Sequence, residues 1–573
     1  MKHFTAVALV ALSVALSCAK TEPVPFSVIP QPNQVTLGEG VFKVPGAAFG
    51  TDEAIPQDAA AMIDEFRVRI GTVTGKESPA VAGTAEKGFS FILNKDLGAE
   101  EYALKVTQEG VKVEAADYNG FLYAVQTLMQ MLPSAVYGDK KASGPWVLQC
   151  AEILDKPRFG YRGILLDCCR HFWTVEETKR VIDIMSINKL NRLHWHLTED
   201  QGWRIESKKY PKLNEIGSWR EATQVGYDHN AFDGVRYGGY YTQDQLREVV
   251  AYAAKKGITV IPEVDLPGHM VAAVSSYPEL GCTGGPYEVR KSWGISKDIL
   301  CAGKESTFKF LEDIMDELLD IFPSEYINIG GDEAPKDRWK ECPLCQKKIR
   351  QLGLKDRDGH TKEQFLQNYV TKRMQDYLAS KGRKIIGWDE ILEGELAPGA
   401  TVMSWRGTKG GITAAGKGFD VIMSPNIYLY LDYYNSKEFD REPLGIGRRA
   451  LPIEDVYAYE PMDGMPEGSD AHLIGVQANL WTEFISTPEH LEYNLLPRMS
   501  AASEIQWCNA GNKDFDRFRA SMEHMRRIYD QLGLTYCKYM WGTVGLPGHE
   551  QPARPKEALD TINLRTIEKA TYE

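Results

Sequence analysis

The sequence predicts an α/β protein, a (β/α)8 barrel preceded by a smaller α/β domain. Eight apolar, strand-like runs follow one another after about residue 156, most of them separated by helical stretches. Acidic and large aromatic residues fall where those runs end, which is where barrels of this kind carry reactive groups. A chain of 573 residues also exceeds one ordinary domain, leaving material for a second unit.

The elements read in order as follows. Met1-Lys2-His3 and the apolar run from Phe4 to Ser17 have the charged and apolar regions of an export signal, and the run is short for a bilayer span. It ends at Leu16-Ser17-Cys18, which resembles a bacterial lipoprotein processing site with Cys18 as the lipidated residue, although Ala15 stands where Leu is usual. The expectation is an exported protein, periplasmic or held at the outer membrane through that lipid alone, with ordinary secretory cleavage as the alternative. Residues 22–155 read as an α/β accessory domain. Phe89 to Leu93, Tyr102 to Val106 and Val111 to Ala115 are strands, and Asn119 to Leu132 is an amphipathic helix stopped by Pro133. Lys156-Pro157-Arg158 marks a boundary.

The barrel, residues 156–510, takes its strands from Tyr161 to Asp167, Arg192 to Thr198, Ile258 to Val264, Tyr326 to Gly331, Lys384 to Trp388, Thr401 to Trp405, Asp420 to Ser424 and Leu473 to Leu480. The connection after the seventh is long and has no obvious helix. Residues 511–573 hold one amphipathic helix, Phe515 to Leu532, and a tail with Pro and Gly.

The net charge of −13 argues against nucleic acid or an anionic membrane surface as the main partner, since both select basic patches. Ten cysteines less Cys18 leave nine, so at least one stays unpaired in an oxidising compartment. Cys342-Pro-Leu-Cys345 looks like half a zinc site, but no second Cys-x-x-Cys completes it, so a local disulfide is expected there. Cys282 and Cys301 are a second candidate pair, and Cys168-Cys169 reads as buried thiol.

Strand four ends in Ile327-Asn328-Ile329-Gly330-Gly331-Asp332-Glu333. The two glycines let the chain bend and let a ligand approach the adjacent acids. Two carboxyls so close do not both ionise cheaply, so one keeps a proton near neutral pH and can act as a general acid. The other strand ends supply Asp167, His196 with Asp200, Glu263 with Asp265 and His269, Trp388, Trp405, Tyr430 with Asp432, and Trp481 with Glu483. Acids and aromatic faces around one mouth are the make-up of a carbohydrate pocket. His194 and His196 share a strand face and suggest a metal-dependent hydrolase as a rival. Later strands deliver Trp388 and Trp405 rather than further His, so no metal or cofactor is expected and the two imidazoles are assigned to hydrogen bonds under the floor.

Tyr161 to Asp167, His194 to Trp203, Pro262 to His269 and Gly330-Gly331-Asp332-Glu333 together resemble the family 20 glycoside hydrolases, the β-N-acetylhexosaminidases. Gly387 to Glu390, Met403-Ser404-Trp405, Tyr430-Leu431-Asp432 and Leu480 to Glu483 continue the resemblance in order, over roughly residues 25–510. The resemblance implies an exo-acting, retaining enzyme for glycans ending in β-linked GlcNAc or GalNAc. It implies Glu333 as general acid and Asp332 as the carboxylate that orients the substrate's 2-acetamido group. Arg162, Asp432 and Glu483 would hold ring hydroxyls, Trp388, Trp405, Trp481 and Tyr430 would wall the acetamide and sugar face, and Asp200 and His269 would steady the catalytic pair. Many members carry His where Asn328 stands and Asp where Glu199 stands, which bears on the tuning of the acid. A glycan-binding lipoprotein without turnover is the alternative from another class.

Overall fold

A computed structural model describes residues 22–396 and 398–549 of the chain. The expected export signal and Cys18 lie outside the described residues. The amino-terminal unit is a seven-stranded sheet ordered Gln34–Lys43, Val147–Asp155, Tyr102–Val106, Gly110–Ala115, Gly88–Leu93, Ala48–Thr51 and Ala80–Ala82. Helices Gln57–Thr74 and Tyr118–Gln130 share one apolar core with it, centred on Phe49 stacked against Phe89 at 4.3 Å.

The eight runs close into a parallel barrel of strands Tyr161–Asp167, Arg192–His196, Thr259–Glu263, Tyr326–Asn328, Lys384–Trp388, Thr401–Ser404, Val421–Met423 and Leu473–Leu480, the last pairing with the first. Helices cover their outer faces, so the strands are buried on both sides and read as continuous apolar runs rather than alternating ones. Several of these helices announce their starts. Thr174, Thr242 and Thr361 each form a reciprocal capping box with the residue three positions on, satisfying donors that the first turn leaves free. Strand four stops at Asn328, short of its expected end, because Gly330 and Gly331 take φ of 61° and 99° and swing the chain. A Cβ on Gly330 would lie 1.9 Å from Asp265 Oδ1, so only glycine fits.

The connection after strand seven contains two short α-helices, Asn426–Leu429 and Ile453–Ala458, and one 3-10 turn, Asp470–His472. It is ordered by a buried cation instead. The Arg498 guanidinium donates to the carbonyls of Leu431, Tyr433, Leu451 and Asn494. Those bonds fix the stretch that carries Tyr430 and Asp432.

Arg162 does not reach the barrel mouth, and its expected role in holding sugar hydroxyls is corrected here. It is the second residue of strand one, so it emerges at the amino-terminal end of the barrel, against the accessory domain. Fully buried, it pairs with Glu100 at 2.9 Å and donates to Tyr123 Oη at 2.8 Å and to the carbonyls of Phe159 and Lys189. Buried Lys189 lies beside it and reaches Thr127 Oγ1 at 2.9 Å and Asp155 at 3.5 Å. Asp155 also accepts from the Trp507 indole. The seam between the domains is thus a satisfied polar network.

The cysteine expectations also change. All nine described cysteines are free thiols, so neither the Cys342–Cys345 nor the Cys282–Cys301 bridge is formed. Those four residues converge instead into a single cluster. Topology supplies the partners that sequence spacing could not, because the loops after strands three and four are neighbours in space.

Candidate active site

The carboxyl ends of the barrel strands bring most of the expected residues to one mouth. Asp332 and Glu333 follow the two glycines, both partly exposed, with Glu333 in the left-handed region at φ 45°. His269, at φ 50°, faces them, its Nε2 3.7 Å from Asp332 Oδ2 and 3.7 Å from Glu333 Oε2. Two non-glycine residues held in this sparsely populated region on facing loops mark a place where the fold overrides local preference.

The other ring nitrogen of His269 bonds Glu199 Oε1 at 2.7 Å. Glu199 in turn takes Arg170 Nη2 at 3.0 Å and His196 Nε2 at 3.2 Å. Against the cost of burial, Arg170 and His269 hold the Glu199 carboxyl well below the ordinary range. Burial also disfavours the His269 cation, but Glu199 and then Asp332 outweigh it and keep the imidazole protonated well above its usual range. An imidazolium therefore sits between the two acids.

Burial raises the Asp332 carboxyl well above the carboxylate range, and its nearest helper is Asp265, with Glu333 a lesser contributor. The like-charge neighbour that does most to raise Asp332 is thus Asp265, ahead of its sequence neighbour Glu333. Burial, assisted by Glu263, pushes Asp265 to about 8, while Asp265 Oδ1 accepts the Gly331 amide at 2.9 Å. Burial likewise raises Glu333, opposed by His269 and Arg170.

The aromatic residues line the same mouth. Trp388 and Trp481 meet at 5.9 Å, Trp481 and Tyr430 at 6.3 Å, and Tyr430 stacks on Trp405 at 6.1 Å. Trp388 is fixed by its indole donating to Glu263 at 2.9 Å, and Trp405 by donating to Glu390 at 3.0 Å. Glu263 lies beneath and binds both His194, at 3.0 Å, and His196. The two imidazoles are engaged under the floor. Asn328 bonds His194 and the Gly330 amide, one layer below the acids.

On the far side of the aromatic ring, neither carboxylate oxygen of buried Asp432 has a hydrogen-bonding partner among the described residues, and the same holds for Asp332 Oδ1, His269 Nε2 and Arg170 Nε. Buried polar atoms are nearly always paired in folded proteins, so orphans gathered at one mouth point to a polar ligand. Burial and then Glu483 raise Asp432 well above the carboxylate range.

Two residues enter that the sequence reading passed over or misplaced. Arg170, three residues past the end of strand one, contacts Asp167 at 3.3 Å and Glu483 at 3.9 Å and lies over the Trp481 ring at 5.1 Å. It holds the position in the mouth that had been given to Arg162, and its place just beyond a strand end was the available signal. Asp200 does not hydrogen-bond His269, and its expected role passes to Glu199. The Asp200 carboxylate accepts the Val271 amide at 3.0 Å and pairs with Arg290 at 3.3 Å, supporting the loop just beyond His269.

Comparison with known proteins agrees with this geometry. The profile described as glycosyl hydrolase family 20, catalytic domain, matches residues 159–510, and that of family 20, domain 2, matches residues 26–156. A beta-hexosaminidase of Porphyromonas gingivalis is 42% identical over 518 residues, 89% of this chain, which spans 64% of that relative's length. The structure of the beta-N-acetylhexosaminidase from Streptomyces coelicolor superposes with a TM-score of 0.78 at 30% identity, over 90% of this chain and 98% of that one. That of the exo beta-N-acetylglucosaminidase from Vibrio harveyi in complex with N-acetylglucosamine gives 0.76 at 29% identity, over 91% and 80%. The chain belongs to glycosyl hydrolase family 20, the β-N-acetylhexosaminidases.

Proposed function

We propose that the protein is an exo-acting β-N-acetylhexosaminidase that removes terminal non-reducing GlcNAc or GalNAc from glycans with retention of configuration, the substrate supplying the nucleophile. The observation that carries this is the pair Asp332-Glu333 facing His269 inside an aromatic box. An enzyme-borne nucleophile needs two carboxyls about 5–5.5 Å apart on opposite faces of the scissile bond, and substrate assistance is this family's departure from that rule. Adjacent residues on one turn are poorly placed for opposite faces, but well placed to serve a leaving group and a neighbouring acetamide.

Glu333, whose carboxyl burial raises above the ordinary range, donates its proton to the glycosidic oxygen as the acetamide carbonyl oxygen attacks the anomeric carbon. Asp332 accepts the acetamide N–H and stabilises the positive charge that develops as the oxazolinium ring closes. That task requires the anion, against which burial and Asp265 act. His269 faces both acids and favours the charged form of each. Water then opens the ring from the face the leaving group left, giving its proton to Glu333. Trp388, Trp405, Trp481 and Tyr430 wall the acetamide methyl and the sugar face, while Arg170, Asp432 and Glu483 take ring hydroxyls. The Vibrio harveyi relative's complex with N-acetylglucosamine supports the choice of sugar.

The purified protein should release the aryl group from an aryl β-N-acetylglucosaminide and leave the matching aryl β-glucoside intact. Equal turnover of both would refute the proposal, and binding with no turnover of either would favour a lectin-like role.

A pH dependence follows from His269. Its positive charge stabilises the ionised forms of Glu333 and Asp332, so His269→Gln should raise both carboxyl pKa values. The basic limb of kcat/KM, where Glu333 loses its proton, should move to higher pH. kcat at neutral pH should fall because less Asp332 is ionised. A pH profile of the variant checks both directions, and an unmoved basic limb would separate His269 from the acid.

A further inference from the structure

We infer that Cys282, Cys301, Cys342 and Cys345 form a structural zinc site that staples the loop after barrel strand three to the loop after strand four. The sulfur positions carry the inference. Sγ–Sγ separations are 3.6 Å for Cys301–Cys345, 3.7 Å for Cys301–Cys342 and 3.9 Å for Cys282–Cys345, and all four sulfurs lie within 4.8 Å of one another. Four thiolates arranged tetrahedrally at the usual Zn–S distance of about 2.3 Å are separated by roughly 3.8 Å. A disulfide needs about 2.05 Å, and two disulfides would draw the sulfurs into two close pairs rather than a cluster of similar spacings.

The backbone is built for the same purpose. Cys342 and Cys345 bracket the start of helix Pro343–Leu352, with the Gln346 amide donating to the Cys342 carbonyl at 3.0 Å, so the two sulfurs leave one turn in the same direction. Cys282 and Cys301 come from an antiparallel bridge between Gly281 and Leu300, in which the Cys301 amide donates to the Leu280 carbonyl at 2.8 Å. Gly303 then passes so close to the helix start that a Cβ would lie 2.3 Å from the Leu344 carbonyl carbon and 2.5 Å from the Cys345 nitrogen. Only glycine permits that approach, which brings the two cysteine pairs together. Three of the four thiols are buried and Cys282 is partly so, and the indole of buried Trp339 donates to the Leu300 carbonyl, next to Cys301, at 2.8 Å.

Tetrahedral all-sulfur ligation with no open position selects a closed structural site for a thiophilic ion, and redox-inert Zn²⁺ suits it. On binding, each thiol gives up its proton, so four protons leave per Zn²⁺ and the tetrathiolate centre carries −2. Lys304, whose ammonium donates to the carbonyls of Glu279 and Gly281 at 2.7 Å each, sets a positive charge beside the Cys282 strand. The consequence reaches the acids through backbone. The Leu300 amide, next to Cys301, donates to the Pro267 carbonyl at 3.0 Å, two residues before His269, while Cys342 follows the loop of Asp332 and Glu333. The site positions two catalytic loops without touching substrate.

The test is elemental analysis with thiol mapping on the full chain purified without chelator, followed by zinc-edge X-ray absorption. The expected result is one zinc per chain with four sulfur neighbours at about 2.3 Å. A mercurial reagent should release that zinc as it titrates the four thiols. Disulfides among these cysteines, iron in place of zinc, or a metal-free chain that takes up no added Zn²⁺ under reducing conditions would each overturn the inference. The double variant Cys342→Ser, Cys345→Ser should lose the zinc and melt at a lower temperature; if it does not fold, the wild-type metal and thiol counts decide.

Discussion

Replacing Glu333 by Gln is expected to lower kcat by about 10²–10⁴-fold on substrates whose leaving group must be protonated, the usual range for losing a general acid. Gln preserves the shape of the side chain and the left-handed backbone at φ 45°, so the loss reads the proton rather than the fold. Leaving groups that are stable as anions need no proton in the first step and should lose far less turnover there. A series of aryl N-acetylglucosaminides with graded leaving-group pKa values separates these cases. A steeper dependence on leaving group in the variant is the expected outcome. An equal loss across the series would remove Glu333 from the role of acid.

Arg162→Ala should destabilise the protein by about 3–5 kcal/mol, the cost of leaving one member of a buried pair uncompensated. Its partner, Glu100, loses the charge that does most, against burial, to hold its carboxyl below the ordinary range. The Tyr123 hydroxyl and the carbonyls of Phe159 and Lys189 lose a donor as well. Because Arg162 emerges at the end of the barrel opposite the mouth, KM for the folded variant should be unchanged. Arg170→Ala should lose stability as well, since buried Asp167 and Glu199 lose a partner, but unlike the Arg162 variant it should raise KM through lost hydroxyl contacts. Chemical denaturation paired with steady-state kinetics on both variants checks the assignment. A raised KM in the Arg162 variant with little change in stability would restore it to the mouth.

The contrast between these two arginines shows how far the sequence was legible. Strand positions were readable because strands buried on both faces must be apolar throughout, which is why Lys384–Trp388 and Leu473–Leu480 match their expected bounds. Strand polarity was readable too, and it alone places the second residue of a strand at the opposite end from the last. Arg162 was misplaced because a resemblance overrode that rule, while Arg170 satisfied it and was passed over. Glu199 and Asp200 are neighbours, and which one meets His269 depends on the small hairpin pairing Thr198–Glu199 with Gly202–Trp203. No periodicity specifies that orientation. Likewise the charge pairing of Asp332 with Asp265 depends on the bend at Gly330, which lets the two loops close on each other. The cysteine cluster joins residues 41 to 63 positions apart, so only the folded loops show that the half-site at Cys342 and Cys345 has a complement.

Substrate assistance is tested most directly by weakening the nucleophile without touching the enzyme. Stepwise fluorination of the acetamide methyl on an aryl β-N-acetylglucosaminide withdraws electron density from the carbonyl oxygen and changes size little. The geometry around Asp332 predicts that kcat/KM falls steeply with each fluorine, because attack by that oxygen forms the bond in the first step. A rate indifferent to fluorination would mean that a group on the protein attacks instead, and the roles given to Asp332 and Glu333 would fall with it.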